Sequence, residues 1–210
     1  MARRATRKRA APRSRRRASP GPIDAALGLA AERPWREVTL AEIAARAGMD
    51  EAALHAAYRS KFAILDAFVR QVDDAVAAGT AEDAGDEPVR DRLLDALLRR
   101  FDLLSPHKAS IASIARDTML FPPAALCAGL RLTRSMARML EISGAESRGP
   151  IGLIHAKALG AIYLSALWIW LHDDDPELGR LMAHLHRCLS EADRLASICD
   201  RFGRLRPRAA

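Results

Sequence analysis

The stretch from Thr39 to Lys61, TLAEIAARAGMDEAALHAAYRSK, constrains the fold most strongly, because it has the pattern of two short helices joined by a tight turn. Thr39 and Glu42 have the T-x-x-E spacing of a capping box, which predicts a helix start. Gly48 can adopt the left-handed backbone that follows a helix, so the first helix should end there. Asp50 is a good N-cap, and it predicts a second helix that begins at once.

Two helices separated by so short a turn must cross steeply, with a small residue in the first and an apolar plug from the second. Ala44 and Leu54 are placed for these two roles. Such a unit can lay its second helix in a DNA major groove while the first crosses the backbone. Turns of this kind also join helices in plain helical domains, so the spacing by itself leaves both interpretations open.

Residues 22–68 resemble the DNA-binding domain of TetR-type transcriptional regulators. The resemblance lies in an entry helix, an aromatic residue before a Thr-initiated helix, the string IAARAG, an aromatic residue after the second helix, and Ser-Lys opening a long helix. It implies an all-α homodimer with an N-terminal three-helix DNA-binding domain. A second domain, an antiparallel helix bundle, would bind a small molecule and so shift the affinity for double-stranded DNA at a palindromic operator.

The resemblance also implies DNA contacts along this unit, with Lys61 at the position of a phosphate-contacting lysine. The candidate DNA-binding residues are Thr39, Arg46, Asp50, Ala53, His55, Tyr58, Arg59 and Lys61. His55 stands where a tyrosine commonly touches a phosphate, and Tyr58 replaces the usual phenylalanine. Because EAALHAAY offers few side chains that read a base edge, we expect modest sequence specificity. For Lys61, a surface lysine without a contact is the alternative.

Composition and charge patterning favour an all-α fold with a basic tail. Half of the residues are hydrophobic but only 5% are aromatic, so the core should consist mainly of Ala and Leu, which favour helix. No run of β-branched alternation is visible. The net charge is +7, yet residues 1–17 hold nine Lys or Arg and no acid, which leaves 24 Lys or Arg against 26 Asp or Glu in the rest. The high pI is therefore a property of the tail.

Breaks in the pattern divide the chain into four segments. A disordered basic arm covers 1–19, the helix-turn-helix domain 20–78, the ligand-binding and dimerisation domain 88–198, and a basic tail 199–210. The arm can neutralise phosphates or enter a minor groove, and a solvated tail is the equal alternative. Helix count and loop lengths in the third segment suit an antiparallel bundle.

The most apolar segment, residues 151–171, predicts where a second subunit binds. A helix that is apolar on nearly every side needs cover on two faces, so we expect the core on one side and a second copy on the other. The next helix should open at Asp175 and Pro176 and lie beside it. The uncharged run Ala158–Leu171 is too short to span a bilayer and should be a buried helix.

Signals for chemistry are few. The three cysteines form no CxxC pair, the six histidines form no H-x-x-x-H pair, and neither a Gly-rich phosphate loop nor a nucleophile elbow is present. These absences argue against an enzyme, a metal site and a cofactor. No apolar stretch follows the N-terminal charges, so no signal peptide is expected and the location should be cytoplasmic.

By the same resemblance, a small-molecule site would lie inside the second domain. The candidate lining residues are Phe101, Ile114, Met119, Tyr163, Leu167 and Trp168. Each of them could equally be ordinary core. Since these segments carry little charge, the expected effector is apolar or amphipathic.

Two functions remain open at this point. The first is a ligand-responsive homodimeric repressor. The alternative is a lipid or isoprenoid-binding accessory protein that kept the fold and lost DNA recognition. Its motive is the Ala-rich second helix together with AIYLSALWIWLHDDDP, which loosely resembles the C-terminal part of ubiquinone-biosynthesis accessory proteins of the same fold. Only under this alternative would the basic arm and tail touch an anionic membrane.

Overall fold

The computed structural model describes residues 19–82, 87–173, 175 and 177–204, with side chains for 19–80, 87–173, 175 and 177–194. Every regular element in these ranges is helical and no strand occurs, which confirms the all-α fold. The α-helices are α1 Pro22–Glu32, α2 Leu40–Ala47, α3 Glu51–Ala57, α4 Lys61–Glu82, α5 Val89–Leu104, α6 Lys108–Met119, α7 Pro122–Ile142, α8 Gly149–His172 and α9 Gly179–Arg204. Single 3-10 turns cover Trp35–Glu37 and Ser105–His107.

Local capping defines the helix-turn-helix as predicted. The Thr39 hydroxyl accepts from the Glu42 N–H at 3.3 Å, and the Glu42 carboxylate accepts from the Thr39 N–H at 2.9 Å. Gly48 ends α2 with φ +66°. The Asp50 carboxylate then accepts from two N–H groups at the start of α3, at 3.1 and 3.3 Å. These bonds satisfy backbone groups that a helix terminus otherwise leaves open.

Two apolar clusters form the interior. The first lies among α1, α2 and α3, where Ala44 and Leu54 meet as expected, and it includes Ile64 at the start of α4. The second is built from α4, α5, α7, α8 and α9. α4 supplies Phe68, Val72 and Val76 to this second cluster. Because α1 also places Leu27 in the second cluster, α1 and α4 both connect the two interiors.

Two helix boundaries need a structural explanation. α4 continues to Glu82 through Gly79, a residue that is unfavourable inside a helix. The Arg99 guanidinium lies over Gly79 and would clash with a Cβ at that position. α9 begins at Gly179 instead of Pro176, which lies outside the described residues. The Asp175 carboxylate accepts from the Gly179 N–H at 3.2 Å, so it caps the turn before the helix.

A buried polar network links α4 to the rest of the bundle. Asp73 of α4 pairs with Arg100 of α5, and the Ser135 hydroxyl of α7 donates to the same carboxylate at 2.9 Å. The Arg100 guanidinium lies 5.3 Å from the centre of the Tyr163 ring of α8. Because a buried charge without its partner is costly, this network specifies how α4 packs on the bundle.

Candidate nucleic-acid interface

α3 presents most of its surface to solvent. Every side chain from Glu51 to Ala57 is exposed except Leu54, which is fully buried. Leu54 belongs to the first cluster, together with residues of α1 and α2. Leu54 is therefore the one side chain of α3 that anchors the helix to the domain. The other faces of α3 are exposed and can enter a groove of DNA.

The exposed side chains of α3 have little hydrogen-bonding capacity. Four of them are alanine methyl groups, at positions 52, 53, 56 and 57. A methyl group can contact the C5-methyl of thymine but cannot distinguish other bases by hydrogen bonding. His55 is exposed, and its Nε2 lies 3.8 Å from Glu51 Oε1. His55 and Glu51 are thus the polar groups of α3 available for reading base edges.

The other candidate residues surround α3. Thr39 and Asp50 are exposed, and both act as helix caps. Arg46 pairs with Glu32 of α1 through two bonds of 2.6 and 2.5 Å. Tyr58 ends α3 and packs half-buried against the first cluster. Arg59, directly after it, is exposed, and no charged partner is found for it in the described part of the chain.

Lys61 occupies an unexpected environment. Its Nζ donates to the carbonyl oxygens of Trp35 at 2.7 Å, Arg36 at 3.2 Å and Val38 at 2.9 Å, and it lies 4.9 Å from the centre of the Trp35 ring. Burial lowers the pKa of this ammonium group. A lysine has three N–H donors, and all three face carbonyl groups. Lys61 therefore fastens the loop between α1 and α2, and its phosphate contact stays a prediction.

The same loop is held from the opposite direction by α6, which the sequence did not single out. The Ser113 hydroxyl accepts from the Trp35 N–H at 3.1 Å and donates to the Arg33 carbonyl at 3.2 Å. Asp117 accepts from the Arg36 backbone N–H at 2.7 Å and from its guanidinium at 3.0 Å.

One turn earlier on α6, the Ser110 hydroxyl donates to the Leu27 carbonyl of α1 at 2.7 Å. Ser110, Ser113 and Asp117 share one face of α6, and we call them the α6 polar stripe. A polar stripe at helical spacing is typical of a solvent-exposed face. Here Ser110 and Asp117 are buried, so the stripe connects the bundle to the helix-turn-helix.

The structure brings together only part of the candidate ligand set. Phe101 and Tyr163 stack with ring centres 5.3 Å apart in the second cluster, and Leu167 packs against that cluster. Ile114 contacts both clusters. Met119 and Trp168 are 67% and 62% exposed, so these two do not line an internal site in this structure. Met119 of α6 and Trp168 of α8 are exposed because their side chains project away from the bundle interior.

Two clefts open beside α4, and neither is lined by a candidate ligand residue. One, of about 660 Å³, lies between α4 and α5 and is lined by Thr80, Glu87, Arg92, Asp95, Leu98, Arg99 and Asp102. The other, of about 350 Å³, is lined by Ala77, Thr80, Arg92, Arg138, Glu141, Ile142 and Gly144. Their charged linings differ from the apolar lining expected for the effector.

A short helix that projects from a capped helix-turn-helix, mounted on a helical bundle by a shared long helix, defines a class of helical DNA-binding proteins. Residues 23–68 match the model of one family within that class, described as bacterial regulatory proteins of the tetR family. The helix-turn-helix domain belongs to this family, which confirms the resemblance seen in its motifs. The match supports DNA binding in transcriptional regulation as the role of this domain.

Solved structures share the fold over most of the chain. A TetR transcriptional regulator from Nitrosomonas europaea ATCC 19718 has a TM-score of 0.65 at 22% identity and covers 82% of this chain and 95% of its own. A TetR transcriptional regulator from Rhodococcus sp. RHA1 has a TM-score of 0.61 at 21% identity, covering 80% and 91%. A tetR-family regulator from Streptomyces coelicolor has a TM-score of 0.57 at 18% identity, covering 88% and 84%. No curated protein sequence matches the chain significantly.

The described residues contain no group of three or more His, Cys, Asp or Glu side chains placed to hold a metal ion. The family match covers the helix-turn-helix, residues 23–68, and α3 is its exposed helix. The functional surface to explain is therefore the one around α3.

Proposed function

We propose that the chain is a homodimeric DNA-binding repressor that responds to an apolar or amphipathic small molecule. The observation that supports this most directly is α3, a helix anchored by Leu54 alone and otherwise exposed, in a domain of the tetR family. A two-fold dimer would present two copies of α3 to half-sites one helical turn apart, on a palindromic operator. The proposed location is cytoplasmic, where such DNA lies.

The surface of α8 supports the proposed dimer. Its buried face, with Leu159, Tyr163 and Trp170, packs on the bundle. Its opposite face exposes Ile154 and Trp168 and, between them, other apolar side chains at helical spacing. α8 is also, among the described helices, the one long and apolar enough to cross a membrane by length and composition. Because one face packs on protein, the other is best covered by a second copy of the chain.

Tight contact between bundle and helix-turn-helix supports a response to a ligand. Phe101, Tyr163 and Leu167 remain the best-placed candidates for contact with an effector. A shift of α6 in the liganded bundle would act on the loop through Ser113 and Asp117. That loop immediately precedes α2, so the position of α3 in each protomer would change. An effector that favours wider spacing of the two α3 helices would weaken operator binding.

Binding to the DNA upstream of the protein's own coding sequence tests the proposal. We expect the full chain to shift this duplex at lower concentration than a scrambled duplex of equal length. Ala53→Glu should abolish the shift, because it adds a charge to the exposed side of α3 that repels phosphates. Glutamate in the first turn is favourable for the helix, so folding should persist.

Ala53→Gln is the matched control, since it has the same size without the charge. Retained binding by Ala53→Gln together with lost binding by Ala53→Glu would support α3 as the DNA-facing helix. Equal binding of both duplexes at low salt by the unmodified chain would contradict a regulator with its own operator.

A lipid-binding accessory role is the second candidate. It is favoured by the absence of Lys and Arg from α3 and by exposed apolar side chains at the α6–α7 junction and on α7, namely Met119, Leu120, Phe121, Leu126 and Leu130. Membrane contact belongs to this alternative alone. Native mass spectrometry of the purified protein tests this role. A co-purifying lipid would favour lipid binding, whereas the absence of such a lipid together with no binding to vesicles would exclude it.

A further inference from the structure

The surface of α3 that is proposed to face DNA consists mainly of methyl groups. Because successive residues of an α-helix are about 100° apart, Ala52 and Ala56 lie on the side of α3 opposite to the buried Leu54. Ala53 and Ala57 form a second pair at the same four-residue spacing on one flank, and all four alanines are exposed. A groove that receives α3 would therefore meet four neighbouring methyl groups first.

The polar groups of α3 lie on its other flank. Glu51 and His55 are also four residues apart, and Glu51 Oε1 lies 3.8 Å from His55 Nε2. A carboxylate accepts hydrogen bonds and donates none, so Glu51 can accept from the exocyclic amino group of cytosine or adenine. Residues 51–57 contain no Lys, Arg, Asn or Gln. α3 therefore lacks the side chains that commonly bind guanine or adenine through two hydrogen bonds.

Methyl groups on a protein distinguish one base from the others in the major groove. Thymine presents a C5-methyl group there, whereas cytosine lacks this group and presents an amino donor. Contact between an alanine methyl and the thymine methyl removes apolar surface from water, which raises affinity about fourfold per methyl group. The cytosine amino group at the same place would lose water without gaining a partner. The methyl surface of α3 therefore favours thymine.

The length of the methyl surface determines how many bases it can contact. Ala52 and Ala57 are separated by about 7.5 Å along the axis of α3, at 1.5 Å per residue. Successive bases of one DNA strand are about 3.4 Å apart along the duplex axis. The methyl surface therefore spans about two base-pair steps in each half-site.

Polar side chains at the ends of the neighbouring helices are engaged within the protein. The Asp50 carboxylate accepts from two N–H groups of α3, and Arg46 of α2 pairs with Glu32 of α1 at 2.5 Å. Base contacts from these side chains would break the contacts that hold the helix-turn-helix together. The surface of α3 itself is therefore the best source of sequence preference.

We propose that α3 recognises consecutive thymines in each operator half-site, through contacts between its four alanine methyl groups and the C5-methyl groups of the bases. Glu51 accepts from an amino group at one edge of this thymine run. The inference rests on the proposed function, and it names the bases that the same helix recognises. Hydrogen-bonded recognition of guanine has no part in it.

The test removes the thymine methyl groups and leaves base pairing unchanged. Deoxyuridine lacks the C5-methyl group of thymidine and pairs with adenine in the same way. The full chain is titrated by fluorescence anisotropy with the upstream duplex and a scrambled duplex, each made with thymidine or with deoxyuridine. Affinity for the upstream duplex should fall about fourfold per contacted methyl group, and at least about 10-fold in total. Affinity for the scrambled duplex should stay the same, because phosphate contacts dominate there.

Selection from a pool of random duplexes gives a second readout. Sequences that the full chain retains should contain two adjacent T·A pairs in both halves of a palindrome. This readout does not depend on where the operator lies in the upstream DNA.

Ala52→Ser assigns the effect to α3, because it adds a hydroxyl group to the side that faces the bases. The variant should bind the upstream duplex less tightly, and deoxyuridine should cost it about fourfold less affinity than it costs the unmodified chain. Ala31→Ser, at an exposed position of α1, is the matched control and should respond to deoxyuridine like the unmodified chain. Far-UV circular dichroism should be the same for all three proteins.

Three results would overturn the inference, and they are distinguishable. If the chain prefers the upstream duplex and deoxyuridine changes nothing, thymine methyl groups are not contacted, and the proposed regulator stands. If deoxyuridine weakens Ala52→Ser and the unmodified chain equally, the methyl groups act through DNA shape instead of α3. If the full chain binds the upstream and scrambled duplexes equally and Ala53→Glu has no effect, the proposed function itself fails.

Discussion

At the scale of single residues, Lys61 shows how one cation can hold a loop together. Three carbonyl groups between α1 and α2 accept from its ammonium group. Lys61→Met keeps the aliphatic stem but removes all three bonds. Because partly buried carbonyls would then lack a donor, we expect a loss of about 1 to 3 kcal/mol in the free energy of unfolding, measured by urea denaturation.

Arg59→Met is the matched control for this change. Arg59 is exposed two residues away, and the described chain shows no ion pair for it. Its substitution should change stability by less than about 0.5 kcal/mol. Equal stability of Lys61→Met and the unmodified protein would show that the three bonds contribute nothing.

Glu42 predicts a dependence of stability on pH. Hydrogen bonds from the side chain of Arg33, then from Thr39, lower the pKa of this carboxyl from 4.5 to about 2. A group whose folded pKa is depressed stabilises the protein above its unfolded pKa and loses that contribution as pH falls through the folded value. Its contribution should thus be complete above pH 4.5 and vanish towards pH 2.

Glu42→Gln tests this, because glutamine can retain the capping-box bond while losing the charge. Thermal unfolding should show the unmodified protein as more stable at neutral pH, and the difference should shrink below about pH 4.5. A difference that is constant across the acid range would contradict the assignment.

At the scale of elements, the α6 polar stripe connects two parts of the chain. Asp117 is buried and holds both the backbone and the guanidinium of Arg36. Asp117→Asn keeps the shape and removes the charge, so we expect a loss of about 1 to 3 kcal/mol on urea denaturation. Asp102→Asn, on the exposed side of α5, is the control and should be nearly neutral.

A double-mutant cycle with Arg36→Met assigns the effect to the pair. A coupling energy of about 0.5 to 3 kcal/mol is expected for residues in direct contact. Additive effects would mean that the Arg36 side chain contributes nothing to this contact, and the proposed route from effector to α3 would then depend on the bonds of Ser113 and of the Arg36 N–H alone.

At the scale of the whole molecule, the outward face of α8 determines the proposed assembly. Trp168 is 62% exposed there, and Trp168→Asp would place a charge in the interface of a second copy. We expect the dimer dissociation constant to rise at least about 30-fold, as measured by analytical ultracentrifugation.

Leu126→Asp on α7 is the control, because Leu126 is similarly exposed but lies on a different helix. It should leave the association unchanged. A monomeric unmodified protein, or dissociation by Leu126→Asp but not by Trp168→Asp, would contradict an α8 interface.

How far the sequence predicts this protein depends on how far apart the interacting groups lie in the chain. The capping box at Thr39, the left-handed Gly48 and the cap at Asp50 close their hydrogen bonds within a few residues. These three features could therefore be predicted from the sequence. Together with Ala44 and Leu54 they identify the family fold. The nine arm cations and the Ala-rich α3 were readable too, because charge and residue type need no coordinates.

Only the tertiary structure shows which groups Lys61 and Asp117 bind. The bond from the Arg36 N–H to Asp117 joins groups 81 residues apart, and only packing of α6 on the loop brings them together. The residues next to Trp168 in the sequence are apolar and predict a core position. The orientation of α8 about its axis nevertheless directs Trp168 to the surface. Local capping follows from neighbouring residues, whereas burial and long-range bonds follow from how entire helices pack against one another.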